Sequence, residues 1–414
     1  MVDWQSNKEE SFTIPDSPIW MDSSTEAECK ALETSVGGPE ELARITGSRG
    51  YHRFTGNQIA KIYNTNPDAY GNTERISLVS SFVCSLFLGK FSEIDWSDGS
   101  GMNLLDIRSH EWNNECLKAC APDLAAKLGT PVSSNTVQGN ISKYFIDRFG
   151  FSGDCKIVSF TGDNPASFAC INRKAGDITV SLGTSDTVLV QMDLPPSKPF
   201  LNAHVLCSST RPDNYIGMLC YKNGSLVRER IRKEIGCKTW PDFSQLLGQT
   251  CPGNGGNIGF YFDLPEILPN LPALCARFNS KGEKVKEFPE AIEARAVIEG
   301  QCLAKRVHAD SMGIREGGRV IVTGGASANA DILQVLADVF SRDVYVLDIS
   351  NSAALGAAFL AKYGLLRDVP YEEFLSQVKG DFKLAAQPDA KSAEAYEGLL
   401  NQYRALETQI LTEV

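Results

Sequence analysis

The chain has 414 residues, which at about 150 residues per domain predicts two or three folded units. Hydrophobic residues are 43% and charged residues 22%, a globular balance that excludes disordered, collagen-like and coiled-coil chains. With 40 Lys and Arg against 51 Asp and Glu the net charge is −11, and no basic block is present to neutralise a phosphate backbone, so nucleic acid is not an expected partner.

Residues 1–12 are polar and charged, without the apolar core of a signal peptide. A short apolar step, Pro18-Ile19-Trp20-Met21, precedes Ser24 and Thr25, either of which can cap a helix over 26–32. Residues 57–88 alternate helical signals with a polar break at 64–73. The apolar run at 78–88 is broken by serines and falls short of the roughly 18 residues a membrane-spanning helix needs, so no membrane partner is expected. Residues 94–106 carry too many Asp, Ser and Gly for a helix and read as an ordered loop leading into a strand; 111–127 is helical again.

The texture then changes. A strand over 156–160 turns at Gly162-Asp163-Asn164-Pro165 into a helix from about Ala166. Strands at 178–182 and 187–191 flank a hairpin signal, Gly183-Thr184-Ser185-Asp186. Further strands at 205–207 and 215–221 lead to a basic helix over 225–234. Gly253-Asn254-Gly255-Gly256 has no following Lys and reads as a flexible loop. A long helix over 292–312, a strand at 319–322, the turn Thr323-Gly324-Gly325-Ala326, a helix over 331–340 and a strand at 344–347 complete an α/β alternation. Residues 353–362 form a small-residue helix that lets another backbone approach closely, and 391–411 a terminal helix. A domain boundary is expected near 168–175, giving domains of 1–170 and 171–414.

Twelve cysteines in a chain without a secretion signal predict free thiols in a reducing, cytoplasmic compartment. Cys116 and Cys120 form a close pair, but no second Cys or His pair stands near enough to complete four zinc ligands. No metal-binding side chain is assigned.

Three segments can carry chemistry. Asp163 sits where a strand ends and a helix begins, facing the crevice where α/β proteins bind ligands; an ionised carboxylate there suits proton removal from an attacking hydroxyl, or else caps its helix. Gly183 and Thr184 lie in a tight turn whose backbone N–H groups and hydroxyls can hold phosphate oxygens, or which simply reverses the chain. Gly324, Gly325, Ala326 and Asn329 follow a strand and precede a helix, where paired glycines admit a flat ring or sugar and Asn329 offers donor and acceptor; the spacing matches neither the dinucleotide fingerprint nor the phosphate-loop motif. In that order they outline a phosphotransferase cleft. Trp240 suits adenine stacking or a core position.

At these residues the chain resembles the FGGY family of carbohydrate kinases, and within it the eukaryotic type that acts on D-xylulose. The matching stretches include Thr46-Gly47-Ser48-Arg49, the Arg53-Phe54-Thr55-Gly56-Asn57-Gln58 run, Asp95-Trp96-Ser97-Asp98-Gly99-Ser100-Gly101, Phe160-Thr161-Gly162-Asp163-Asn164-Pro165, Ser181-Leu182-Gly183-Thr184-Ser185-Asp186-Thr187 and Thr323-Gly324-Gly325-Ala326-Ser327. The resemblance implies an actin-like, ribonuclease-H-type pair of α/β domains, the first binding sugar and the second nucleotide. It also implies transfer of the ATP γ-phosphate to the terminal hydroxyl of D-xylulose, with Mg²⁺. Asp163 then looks like the base, Arg53, Asp163 and Asn164 like sugar contacts, Gly183 and Thr184 like a phosphate turn, and Trp240, Gly324, Gly325, Ala326 and Asn329 like the adenine-nucleotide contacts.

One departure stands out. Family members open with a strand bearing an Asp-x-Ser/Thr phosphate turn and a Gln-His-Gly sugar segment, whereas this chain opens Met1-Val2-Asp3-Trp4 and reaches family-like sequence at Pro18. The first domain is therefore expected to be truncated at its N-terminal side, with unpaired sheet edges and one side of the phosphate and Mg²⁺ site missing. The alternative to an active kinase is a chain that binds nucleotide or sugar without transferring phosphate. Oligomeric state is not legible.

Overall fold

The computed structural model describes residues 11–171, 176–195, 198–314, 317–347, 351–366, 369–378 and 382–414. The opening Met1-Val2-Asp3-Trp4, most of the segment compared with a signal peptide, and residues 172–175 of the expected boundary lie outside the described residues. The chain divides into two units: Met1–Arg173 with Asp193–Ile216 and Asn351–Val378, and Lys174–Met192 with Gly217–Ser350 and Lys379–Val414.

The first unit is mainly helical. Helix Glu26–Ser35 begins at Thr25, but the Thr25 hydroxyl donates to the His52 carbonyl at 2.6 Å instead of capping the helix. Helices Pro39–Thr46, Thr55–Thr65 and Asn114–Cys120 share with it a core of Leu32, Leu42, Ile59, Met102, Leu104 and Leu117. The polar break expected at 64–73 contains a further short helix, Pro67–Gly71, whose Asn66 side chain accepts the Ala69 N–H. The stretch read as a loop at 94–106 also forms helical turns, Trp96–Gly99 and Ser100–Met102. Its polar composition does not prevent this because Asp95 accepts the N–H groups of Ser97 and Asp98 at 3.2 and 3.3 Å, capping a single turn. The helix expected across 111–127 is interrupted at Pro122, giving Asn114–Cys120 and Leu124–Leu128. Strands in this unit are short; Val137–Asn140 pairs antiparallel with Lys156–Val158. Cys116 and Cys120 are buried in the core, and burial pushes both thiols up to about 12.

The second unit holds the sheet that the strand–helix alternation predicts. Its strands follow the order Phe382–Ala386, Val344–Leu347, Val320–Thr323, Ile178–Leu182, Asp186–Met192, Tyr215–Tyr221. Val320–Thr323 is parallel to both neighbours, whereas Ile178–Leu182 and Asp186–Met192 form the expected antiparallel hairpin. Three central strands are buried along nearly their whole length, which explains their continuous Val and Ile runs. Helices Glu290–Ser311, Ala330–Phe340 and Ala390–Glu413 belong to the same unit. The glycine segment read as a flexible loop is an ordered turn, Asn254–Gly256: Asn254 is buried and the Gly253 N–H donates to Glu299 at 3.0 Å. All twelve cysteines are free thiols. No described helix is long and apolar enough to cross a membrane.

Candidate active site

In the first unit, strand Lys156–Val158 leads through Thr161 and Gly162 into helix Asp163–Ile171. The helix therefore starts at Asp163 itself, three residues before the expected position. The Asp163 carboxylate is exposed, and its Oδ1 accepts from the Asn164 backbone N–H at 2.8 Å and from Asn164 Nδ2 at 3.3 Å. Proline at 165 has no N–H to offer, so the carboxylate is held by Asn164 alone among the described hydrogen bonds. Asp163 Oδ2 has no hydrogen bond among those described.

Two carboxylates stand behind it. Asp95 is only 1% exposed; burial and the Asp98 charge push its pKa up to about 7, while the Ser134 hydroxyl works against the rise. Burial likewise raises Asp98, opposed by the Ser80 hydroxyl and reinforced by the Asp163 charge. Sequence reasoning assigned neither residue a role. The available signal was the Asp95-Trp96-Ser97-Asp98 spacing, which puts one carboxylate at a helix cap and the other in its first turn.

Arg53 lies in the turn before helix Thr55–Thr65, half-buried, with its guanidinium 5.5 Å from the Trp20 ring centroid. Its neighbours Tyr51 and Phe54 pack on His204, which burial pushes down to about 4. Among the described residues no hydrogen bond or ion pair joins Arg53 to Asp163.

The second unit brings two of the predicted segments together. The hairpin turn and the Gly324 turn follow the C-terminal ends of adjacent parallel strands, with Thr323 in register with Ser181. Gly324 has φ +88°, and a β-carbon there would lie 2.5 Å from the Leu182 carbonyl oxygen; glycine is required for the two turns to approach this closely. Gly325, by contrast, has open space where a side chain would be, so its absence leaves room for a ligand. The Asn329 amide oxygen accepts the N–H groups of Asp331 and Ile332, both at 3.0 Å, capping helix Ala330–Phe340. Asn329 thus retains its Nδ2 donor but not the free acceptor expected of it. Ala326 lies in the short helical turn Gly325–Ala328 between them.

Thr184 and Ser185 are exposed at the tip of the hairpin. The Gly183 and Thr184 carbonyls accept from Ser225 N–H at 2.8 Å and Gly224 N–H at 3.2 Å. Trp240 opens helix Trp240–Leu247, half-buried, edge-on to Phe243 with ring centroids 5.4 Å apart and 5.6 Å from the Arg232 guanidinium carbon. It is partly open to solvent, as a stacking surface requires, and touches neither turn among the described contacts.

Residues 9–170 match the N-terminal domain, and 178–365 the C-terminal domain, of the FGGY family of carbohydrate kinases. The chain is 50% identical to a xylulose kinase of Rattus norvegicus over 406 residues, covering 97% of this chain and 75% of that protein. It is 43% identical to xylulose kinase 2 of Arabidopsis thaliana, covering 98% of this chain and 76% of that one. The fold is shared with the crystal structures of xylulose kinase from Rhodospirillum rubrum (TM-score 0.81, 17% identity, 94% of this chain and 79% of that one) and gluconate kinase from Lactobacillus acidophilus (TM-score 0.79, 19% identity, 93% and 78%). This is the actin-like two-domain sugar kinase fold, and the chain belongs to the FGGY family of carbohydrate kinases, phosphotransferases that use ATP as the phosphate donor.

Proposed function

We propose that the chain phosphorylates D-xylulose at its terminal hydroxyl, converting ATP to ADP and forming D-xylulose 5-phosphate. The observation that carries this reading is the 50% identity to the Rattus norvegicus xylulose kinase across 97% of the chain. Asp163 acts as the base: it takes the proton from the sugar hydroxyl as that oxygen bonds to the γ-phosphorus, while the bond to the bridging oxygen of ADP breaks. Its exposed, singly tethered carboxylate supports that role. Asn164 and Arg53 bind the sugar, Gly183 and Thr184 the phosphates, and Trp240, Gly324, Gly325, Ala326 and Asn329 the adenine nucleotide.

The cation that would accompany ATP is Mg²⁺. Among the described residues no three His, Cys, Asp or Glu side chains gather around one point, and the exposed Thr184 and Ser185 hydroxyls are the hard oxygens at the phosphate turn. That donor set fits an ion held mainly by phosphate oxygens and water. Bound there, Mg²⁺ would neutralise phosphate charge. A cytoplasmic location is inferred with the activity, supported by twelve free thiols, of which Cys84, Cys116, Cys207 and Cys302 are deeply buried.

The test is ADP formation by the purified chain with D-xylulose and Mg²⁺–ATP, beside Asp163→Asn. Turnover is expected, with D-xylulose preferred to gluconate and glycerol, and the variant loses about 10²–10⁴-fold in kcat. A folded chain that does not turn over D-xylulose overturns the proposal.

A further inference from the structure

Beneath the Gly183-Thr184-Ser185 turn lies a closed group of charges that no step above uses. Asp186 is wholly buried, and Arg228 and Lys305 are each 2% exposed. Arg228 donates to both Asp186 oxygens, at 2.8 and 3.1 Å, and Lys305 Nζ lies 2.9 Å from Oδ2. Two further bonds are made nearby: Arg228 Nη1 also donates to the Gln301 side-chain oxygen at 2.7 Å, and Lys305 to the Gln301 carbonyl at 3.2 Å. Lys305 Nζ stands 5.1 Å from the Tyr221 ring centroid.

Two features make this more than a structural ion pair. Asp186 Oδ1 also accepts the Gly183 N–H at 3.1 Å, so the group is bonded directly to the turn. And two cations share the one carboxylate, so the three side chains together carry a net positive charge beneath the turn. Burial alone would raise the Asp186 pKa, but the Lys305 and Arg228 charges overcome this and hold it below the ordinary range. The buried carboxylate of Glu266, which lines a cavity together with Lys305, accepts from the N–H groups of Lys222, Asn223 and Ile267 at 2.6 to 3.1 Å, partners that carry no charge.

We propose that Asp186, Arg228 and Lys305 are positioning residues for the nucleotide phosphates. Asp186 ties the Gly183 N–H, Gly224 and Ser225 draw the turn's carbonyls, and the exposed Thr184 and Ser185 hydroxyls are left toward the ligand, with the surplus cation of Lys305 underneath. Gly224 is part of the same device: a β-carbon there would lie 2.7 Å from both the Gly183 and Thr184 carbonyl oxygens and 2.8 Å from Asp186 Oδ1. The inference rests on the reading of Gly183 and Thr184 as the phosphate turn.

The experiment is calorimetric binding of ATP and of adenosine to the full chain. Lys305→Met keeps the volume and leaves a balanced Asp186–Arg228 pair. It is expected to weaken ATP by about tenfold while adenosine affinity stays within twofold. ATP affinity unchanged, or ATP and adenosine weakened equally, overturns the proposal, because a merely structural role does not distinguish them. If Lys305→Met does not fold, Gly224→Ala serves instead: it displaces the turn without touching charge and is expected to give the same split, and its absence overturns the proposal. Thr184→Val separates the two readings. If it leaves ATP affinity unchanged, the phosphate turn itself is misassigned; if it weakens ATP while Lys305→Met does not, only the role of the buried charges is wrong.

Discussion

Asp98 occupies the space that a side chain on Gly162 would need: a β-carbon on Gly162 would lie 2.7 Å from Asp98 Oδ1 and 3.3 Å from Cγ. The Ser80 hydroxyl bonds the other oxygen of Asp98, so the carboxylate is held against the residue that precedes Asp163. Real β-carbons are not found this near a heavy atom, and something must shift. Gly162→Ala is therefore expected to move Asp163 relative to the sugar, lowering kcat about 10–100-fold at an overpacking cost of about 1–3 kcal/mol. Steady-state kinetics with a denaturation curve checks both, and a variant with native kcat would show that Asp98 yields freely and does not fix the loop.

Asp95 makes the first unit's stability depend on pH. Its pKa rises from the ordinary carboxylate value to about 7, mainly through burial. Between roughly pH 4 and 7 the folded chain thus keeps a proton that the unfolded chain has released. Stability from this group is fully present below the unfolded pKa, is lost as pH rises through about 7, and is constant above it. Other carboxylates, such as Asp22, shift downward and act in the opposite sense, so the effect is isolated by difference. Asp95→Asn cannot ionise. Its unfolding midpoint, compared with that of the native chain, is expected to improve between pH 5 and pH 8. A difference that is the same at both pH values would mean that Asp95 is ionised throughout.

The second unit was more legible in the sequence than the first, for physical reasons. Strands at 178–182, 215–221 and 344–347 are apolar runs that begin right after Asp177, Asn214 and Asp343, so composition marks them to the residue. The hairpin and the Gly324 turn were recognisable because each needs small residues at a fixed place. In the first unit the elements are short and polar, and their ends are set by contacts distant in sequence. Thr25 bonds the His52 carbonyl, and Asn103 Nδ2 bonds the Ser48 carbonyl at 3.1 Å. No local pattern announces such bonds. The same holds for the site: Asp163 was visible as a carboxylate at a strand end, whereas Asp98 matters through contact with Gly162, and Asn329 proved half-committed to its own helix. The Asp186–Arg228–Lys305 group joins residues at least 42 positions apart and could not be read from spacing.

The small-residue helix near 353–362 was expected to admit a neighbour, and the neighbour is the helix that carries Asp163. Helix Ser352–Leu366 packs on helix Asp163–Ile171 so closely that a β-carbon on Gly356 would overlap the Ala166 carbonyl oxygen and lie 2.7 Å from its carbon and 3.2 Å from the Cys170 nitrogen. The Ser352 and Ser167 hydroxyls meet at 3.2 Å, and the Tyr371 hydroxyl donates to the Ala169 carbonyl at 3.0 Å. Two effects compete in Gly356→Ala. Helix propensity favours alanine by about 1 kcal/mol. The clash opposes it, and because it falls on backbone, which cannot rotate away, its cost should reach the upper end of about 1–3 kcal/mol and win. Gly398, on the exposed face of helix Ala390–Glu413, has nothing within 4 Å of its missing side chain. There only propensity acts, and Gly398→Ala is expected to stabilise by up to about 1 kcal/mol. Opposite signs for the two alanines in urea denaturation would separate contact from propensity. A stabilising Gly356→Ala would mean that the two helices are free to move apart, and that the Asp163 helix is not anchored from behind.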